Sequence, residues 1–265
     1  GASYIGAGGG TFSEAQPSAT VGGTFAFRGL GYVRCGVTTS TNLKDPAGKP
    51  VDLATACAGA PRGALYIAAS GFPVNDPVNR VIGDPNPHWT GNLHTTVHMG
   101  SWALSALLDH KQGGMVANMT KGALNNFGTS IETEQRNVTR TFGVDFMPGA
   151  TVGPGKGTPV QIGQSWYTGL GSIYSGIGEP FMEDGTYTKL REVSVTYSLT
   201  GAFVRRAGFS SADLRISGRN LHTWTKYSGM DPETNLAGAD ALVQGYDFFN
   251  MPQTRSFVFS VALNR

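Results

Sequence analysis

Val193-Ser194-Val195-Thr196-Tyr197-Ser198-Leu199 is the stretch that decides how this chain is read. Successive side chains on a strand point to opposite faces, so Val193, Val195, Tyr197 and Leu199 share one face and the two serines and the threonine share the other. Two more runs in the tail repeat the pattern. Leu214 and Ile216 alternate with Asp213, Arg215 and Ser217, and Phe257, Phe259, Val261 and Leu263 alternate with Ser256, Val258, Ser260 and Ala262. In a water-soluble sandwich the greasy face would be the core. The length and aromatic content equally suit strands that cross a lipid bilayer at a tilt.

Composition narrows the choice. The chain has 265 residues with 38 glycines, only 14% charged residues and a net charge of +2. Sparse charge and abundant Gly describe a β-rich protein with long loops rather than a helical enzyme. No run of 18 apolar residues exists, which excludes a transmembrane helix but not a barrel, where only every second residue is apolar. The small net charge, with no Lys/Arg cluster interleaved with aromatics, gives no footprint for nucleic acid. The chain starts Gly1-Ala2-Ser3 without Met or a signal peptide, so it is expected to be a piece of a longer polypeptide.

The spacing of the runs is the second argument. A strand is expected from about Thr20 to Val33, weakened by four glycines, after a loop over 1–20. Strands follow from about Trp89 to Met99 and from Trp102 onward, joined by Gly100-Ser101. The greasy set of the first is Trp89, Leu93, Val97 and Met99. Residues 34–87 (with room for a short hairpin), 110–186 and about 228–252 read as long loops, whereas Gly100-Ser101 and Arg205–Ser210 are short links. Long and short connections thus alternate, as in a barrel with short turns at one rim and long loops at the other. Trp89, Trp102, Tyr197, Trp224 and Tyr227 lie near strand ends, where interface girdles sit. Cys35 and Cys57 both fall in the first long loop. They are read as a loop disulfide, the alternative being two unrelated thiols.

Several patterns with chemical potential fail on inspection. His94 and His98 are four apart, but on a strand that puts them roughly 13 Å apart, too far to share a metal. No metal site and no cofactor is expected. Gly153-Pro154-Gly155-Lys156-Gly157-Thr158 resembles a phosphate loop but lacks Ser or Thr directly after Lys156, and Pro154 removes a backbone donor. Gly6 to Gly10 fails the dinucleotide pattern at Thr11. No Gly-x-Ser-x-Gly elbow is present. Asp231, Glu233 and Asp184 read as turn chemistry. No catalytic residue is assigned, and the chain is not expected to be an enzyme.

Ordered blocks then carry a family resemblance. They are Gly83-Asp84-Pro85-Asn86-Pro87-His88-Trp89-Thr90, Leu104-Ser105-Ala106-Leu107-Leu108-Asp109 running into Gly113-Gly114, and Tyr187-Thr188-Lys189-Leu190-Arg191-Glu192-Val193-Ser194. Ile216-Ser217-Gly218-Arg219-Asn220-Leu221 follows, continuing through Trp224-Thr225-Lys226-Tyr227 to Asp231-Pro232-Glu233. Last come Gly245-Tyr246-Asp247 and Pro252-Gln253-Thr254-Arg255-Ser256-Phe257. Together, over about residues 83–265, they resemble the C-terminal end of the SusC/RagA-type TonB-linked receptors of the bacterial outer membrane. One departure is the chain end, Leu263-Asn264-Arg265, where the family's strands usually finish on an aromatic. Either Phe257 and Phe259 serve as the signal or the lineage uses a different end.

The resemblance implies an all-β fold, an antiparallel transmembrane β-barrel wall with long extracellular loops. Residues 1–265 would supply about the last six strands of a 22-stranded barrel in the cell outer membrane, with the plug domain and TonB box absent from this chain. It also implies import of oligosaccharide or peptide cargo, a SusD-like surface lipoprotein as lid, and energy from TonB-ExbB-ExbD through the missing N-terminal part. Among the loop aromatics Trp166, Tyr167, Tyr174 and Tyr246, the pair Trp166 and Tyr167 is taken as the candidate contact with cargo or lid, because flat rings suit both uses. Two other readings remain: a separated β-rich fragment that self-associates through unpaired edges, and a glycan-acting enzyme needing paired carboxylates among Asp109, Glu192 and Asp213.

Overall fold

The computed structural model describes residues 14–17 (backbone only), 25–236, 238 and 244–265. In chain order the principal strands are β1 (Glu14–Pro17), β2 (Phe25–Tyr32), β3 (Asn75–Gly83), β4 (Trp89–Met99), β5 (Trp102–Gln112), β6 (Met115–Asn118), β7 (Met182–Asp184), β8 (Tyr187–Leu199), β9 (Ser211–Thr225), β10 (Tyr246–Asp247) and β11 (Ser256–Asn264). Helices are short: α1 (Leu53–Ala56), α2 (Met119–Phe127), α3 (Gln164–Thr168) and α4 (Ala202–Arg206). The described chain divides into two compact units. One gathers the residues up to Asn86, Val116–Glu183 and Asn235–Phe249; the other gathers Pro87–Met115, Asp184–Thr234 and Asn250–Arg265.

The second unit is built on one antiparallel sheet in the order β11-β9-β8-β5-β4. The tail runs are its strands, so the period-two reading holds, and β4 spans the predicted Trp89 to Met99. Its register sorts the side chains into rows. Leu104 stands opposite Val97 and Val195, Val195 opposite Ile216, and Ile216 opposite Phe259. The next row toward the short link runs Met99, Trp102, Tyr197, Leu214, Val261, with the Trp102 and Tyr197 rings 4.5 Å apart. This apolar face is bare: Leu93 is 60% and Phe259 75% exposed. The opposite face carries Thr96, Ser105, Ser194 and Ser217 in one row, Thr96 and Ser105 sharing a 2.9 Å hydrogen bond. The expected Arg205–Ser210 turn is wound into one helical turn, α4, whose chain then reverses at Gly208 with φ 85°.

Register slips once, at Arg191. Leu190 faces Leu108 while Glu192 faces Leu107, so Arg191 is an extra residue with no opposite number on β5. Against β9 the offset runs the other way: between the Leu190/His222 and Glu192/Arg219 pairs β9 has two residues, Asn220 and Leu221, opposite Arg191 alone, and Asn220 takes a φ of 52°. A β-bulge of this kind turns two consecutive residues toward one face. Here it aims Arg191 and Glu192 together at the polar side, and it moves the apolar set from even positions (Leu190) to odd ones (Val193, Val195, Tyr197).

The first unit corrects the loop readings. Residues 34–87 and 110–186 were expected to be long loops; they contain α1, β3, α2, α3 and several two- and three-residue strands packed around three apolar clusters. Phe27, Met119, Ile173 and Phe181 form one; Tyr32, Ile67, Phe142, Ile162 and Trp166 the second; Val33, Leu43, Tyr66 and Val74 the third. Burying each large apolar side chain contributes about 1.5–3 kcal/mol, which offsets the entropy of ordering an irregular backbone. The expected Thr20 start of the first strand lies outside the described residues, and Phe25–Tyr32 is strand despite Gly29 and Gly31. Of the expected opening loop, Glu14–Pro17 pairs with β2 as a strand and most of the rest lies outside the described residues. α2 is framed by sequence: the Asn118 side chain accepts from the Lys121 amide at 3.0 Å, and Gly128 closes it with φ 71°.

Cys35 and Cys57 are bonded, as read, with Cα atoms 5.5 Å apart and a separation of 22 residues. Cys35 lies within the third cluster and Cys57 packs against it, so the bond clips the 35–57 loop to that core. Chain-entropy arithmetic for a loop of this size gives about 3 kcal/mol. Cys57→Ser is therefore expected to lower the opening free energy of this loop by about 3 kcal/mol, read as faster limited proteolysis between residues 38 and 62 under non-reducing conditions with the β8–β9 segment unaffected.

Candidate functional site

The polar face of the β4–β11 sheet is where charge collects. Glu192 receives Arg215 at 2.5 Å and Arg219 at 3.2 Å. Toward the long-loop end, Tyr187, Lys189 and the bulged Arg191 are spaced along β8 so that all three meet the Asp231-Pro232-Glu233 turn. Lys189, only 5% exposed, places Nζ 2.7 Å from Asp231 Oδ1 and 2.5 Å from Glu233 Oε2. Arg191 grips Glu233 with both terminal nitrogens and Asp109 with Nη2 at 2.5 Å. Tyr187 donates to Glu233 Oε1 at 2.6 Å, and Gln253 Nε2 to Glu233 Oε2 at 3.2 Å.

Burial alone would push the Glu233 carboxyl upward. Hydrogen bonds from Arg191, Lys189 and Tyr187 outweigh it and hold the group down at about 2. Asp231 is spent as well, accepting the Glu233 amide at 3.0 Å and the Gln253 amide at 3.3 Å. The cluster is therefore a tether, with its carboxylates occupied by cations. Sequence blocks far apart in the chain turn out to be partners in space.

The carboxylates weighed for glycoside chemistry are committed in the same way. Asp109 is held by Arg191, Glu192 by two arginines, and Asp213 Oδ2 accepts from Asn264 at 3.0 Å. Asp184 caps its own turn, its carboxyl lowered chiefly by the hydrogen bond from the Thr186 hydroxyl. His94 and His98 are exposed on the polar face, and no group of three or more potential metal ligands occurs among the described residues. The Gly153–Thr158 run is a tight turn against Ile67, with the Gly155 amide donating to the Ile67 carbonyl at 3.2 Å.

Trp166 and Tyr167 sit on α3 in the other unit and are 5% and 6% exposed. Trp166 is ringed by Tyr32, Phe72, Phe142 and Phe146 at centroid distances of 5.1 to 6.3 Å. The Tyr167 hydroxyl donates to the Glu132 carbonyl at 2.9 Å. Their flat faces, expected to be displayed, are turned into the core. Both residues nonetheless line a cleft of about 480 Å³, whose other walls include Lys121, Asn125, Glu132 and Arg140. Tyr174 is half-exposed beside Phe127, and Tyr246 packs on the first cluster. Sequence reading missed Asn125 and Glu132, which carry no periodic or motif signal.

No family model matches the chain. The "TonB-dependent receptor P3" of Formosa agariphila is 24% identical over 191 residues, which cover 69% of this chain and 17% of that receptor. Among solved structures, the RagAB peptide transporter aligns over 98% of this chain and 24% of its own at 15% identity and a TM-score of 0.48. The "open-open" RagAB peptide importer aligns over 94% and 24% at 14% identity and a TM-score of 0.46. The chain thus spans under a quarter of the proteins it matches. The recognition carried by the ordered motifs is borne out: this chain has a TonB-dependent receptor as a sequence relative. That sequence relative is named a receptor, not an enzyme.

Glu233 generates a pH prediction. Its carboxyl is lower in the folded state than the ordinary value near 4.3, so its contribution is fully present above that value and is lost as pH falls toward 2. Cleavage within the 228–236 turn by an acid-active protease should rise between about pH 4 and 2. Glu233→Gln should cleave readily throughout and flatten the pH dependence. Lys189→Met, which leaves two carboxylates facing one cation fewer, should destabilise the tether by about 3 kcal/mol or more.

Proposed function

We propose that this chain is a C-terminal wall segment of an outer-membrane TonB-dependent nutrient import receptor of the SusC type. The observation that carries this reading is the two-faced sheet of five long strands. One face presents rows of Leu, Val, Ile and Phe to the surroundings, bordered by Trp102 and Tyr197 at the short-link end and by Trp89 and Trp224 at the other. The other face holds Ser, Thr and ion pairs, as the wall of a water-filled or plugged lumen does. An 11-residue strand is about 33 Å long, and tilted by roughly 40° it spans about 25 Å, the height of a barrel's apolar band.

In this reading the short links face the periplasm and the long connections face outward. The chain supplies about the last six strands of a 22-stranded barrel, five of them in this sheet, with plug and TonB box supplied elsewhere in the polypeptide. Cargo is an oligosaccharide or a peptide, a SusD-like lipoprotein closes the outer mouth, and TonB-ExbB-ExbD drives uptake through the N-terminal part. The described edges of the sheet, β4 and β11, offer backbone groups for neighbouring strands. The same edges are what a second, lower-ranked reading uses, in which the segment separated from its receptor associates edge to edge as a structural surface species.

Peptide mapping of an outer-membrane fraction separates the two readings. Peptides of this chain in a band several times heavier than the chain support the receptor; recovery only at the chain's own mass supports the fragment. A charge on the apolar face supplies a further check. Val195→Arg should destabilise the folded receptor by about 2–4 kcal/mol, seen as loss of its heat-modifiable band. Thr196→Arg, one residue away on the polar face, should leave that band intact; equal loss from both would count against a lipid-facing sheet.

A further inference from the structure

We infer that α4 and the end of β11 form a docking surface for the headgroups of anionic phospholipids at the short-link rim of the sheet. The inference rests on the wall reading, in which that rim meets the periplasmic leaflet, and it names the lipid the rim selects. The last apolar residues of the sheet at this end are Leu199 and Leu263, one row beyond Trp102 and Tyr197. α4 follows directly, and the Ser210 amide donates to the Asn264 carbonyl at 2.7 Å, which fastens the far side of this turn to β11. Residues 98–103, 198–212 and 262–265 make up the rim. They include Arg205, Arg206 and Arg265 and no aspartate or glutamate.

Two observations point to lipid phosphate. Phe203 is 87% exposed, more than Phe257 or Phe259 on the apolar face, while Val204 beside it is buried and α4 lies against β9. An exposed Phe just past an apolar band is unfavourable in water and suits the boundary between headgroups and acyl chains. Arg206, three residues on, is its neighbour on the surface of the turn. The charges are the second observation. Arg191, Arg215 and Arg219 elsewhere on the sheet are all committed to carboxylates. Arg205 and Arg206 are exposed and have no ion pair among the described residues. Arg265 lies over the Phe209 ring, 5.8 Å from its centroid. Guanidinium groups grip phosphate oxygens through two parallel hydrogen bonds. A phosphodiester accompanied by an ammonium brings a like charge against the arginines, so the rim favours a headgroup of net negative charge, phosphatidylglycerol, over phosphatidylcholine.

The test uses the intact receptor, purified from outer membranes and returned to vesicles of equal parts phosphatidylglycerol and phosphatidylcholine. Lipids that stay bound after extraction are counted by native mass spectrometry. Wild type is expected to retain phosphatidylglycerol over phosphatidylcholine by about fivefold or more. The double variant Arg205→Gln/Arg206→Gln should lower that ratio about fivefold, and each single variant about twofold. Phe203→Ser should lower retention of both lipids, and Lys156→Gln, in an exposed turn of the first unit, should change nothing. If the double variant loses its heat-modifiable band, the single variants decide. A ratio near one in wild type, or an equal ratio in wild type and the folded arginine variants, leaves the rim to a soluble periplasmic partner and overturns the inference. So does selective stripping of phosphatidylglycerol by inorganic phosphate against a chloride wash of equal ionic strength, which marks a site for the free anion. Insertion is scored separately, as the heat-modifiable band in vesicles of phosphatidylcholine alone. A receptor that inserts there but shows no selectivity sinks the headgroup site and spares the wall reading. Arginine-dependent binding to phosphatidylglycerol vesicles without that band does the reverse.

Discussion

The bulge at Arg191 is the constraint on which the second unit's arrangement depends. β8 lies in the middle of the five-stranded sheet, so any change in its register is passed to β5 on one side and β9 on the other. A one-residue slip exchanges the two faces of a strand. By inserting one residue, the bulge lets Leu190 and Val193 both serve the apolar face although their parities differ. The extra residue is an arginine that must then find anions, and Asp109 and Glu233 supply them. Register against β5 and loop tether are therefore solved together by one insertion, while β9 accommodates it with an irregularity of its own at Asn220-Leu221.

That coupling explains why Lys189 is tolerated at near-complete burial. A lone ammonium there would be expelled or neutralised. With Asp231 at 2.7 Å and Glu233 at 2.5 Å it sits among acceptors, and Glu233 in turn is shared with Arg191, Tyr187 and Gln253. Such a network contributes less to net stability than to uniqueness, because each member left alone is heavily penalised. The Asp231-Pro232-Glu233 turn is thereby confined to one position over the sheet.

What the sequence disclosed follows from where periodicity operates. β4, β5, β8, β9 and β11 are long and face two different environments, so Val193 to Leu199 or Phe257 to Leu263 announce themselves by alternation alone. The bulge stayed hidden because Leu190-Arg191-Glu192-Val193 reads as a small break in alternation with no marker of its own. The first unit was illegible for the opposite reason. Its core is assembled from single residues such as Tyr32, Phe142 and Trp166, brought together by two- and three-residue strands too short to show a period. Glycine-rich sequence between them was therefore taken for open loop. Trp166 and Tyr167 were taken as contacts for cargo or lid, but a large ring in a chain segment without a period is as well explained by a local core as by display, and both are buried. Asn125 had no signal at all, since its place in the cleft wall is visible only once its neighbours are placed.

The two units also differ in what stabilises them. In the first, apolar side chains are buried against one another, the Cys35–Cys57 bond closes the 35–57 loop, and Glu179 gathers Arg34, Arg80 and the Tyr32 amide. A Cβ on Gly31 would lie 2.0 Å from Glu179 Oε2, so only glycine lets that carboxylate reach the strand. The sheet of the second unit has no comparable cover on its apolar face among the described residues, and Leu93, Phe257, Phe259 and Val261 are all exposed. Contiguous apolar surface of that extent is unfavourable in water and favourable in hydrocarbon. Backbone hydrogen bonding within β4–β11 and the ion cluster at one end fix its geometry, while its solvent must fix its stability. Under the proposed reading, lipid on one side and further strands at its edges set the free energy of such a sheet, which is the physical reason for reading it as part of a wall.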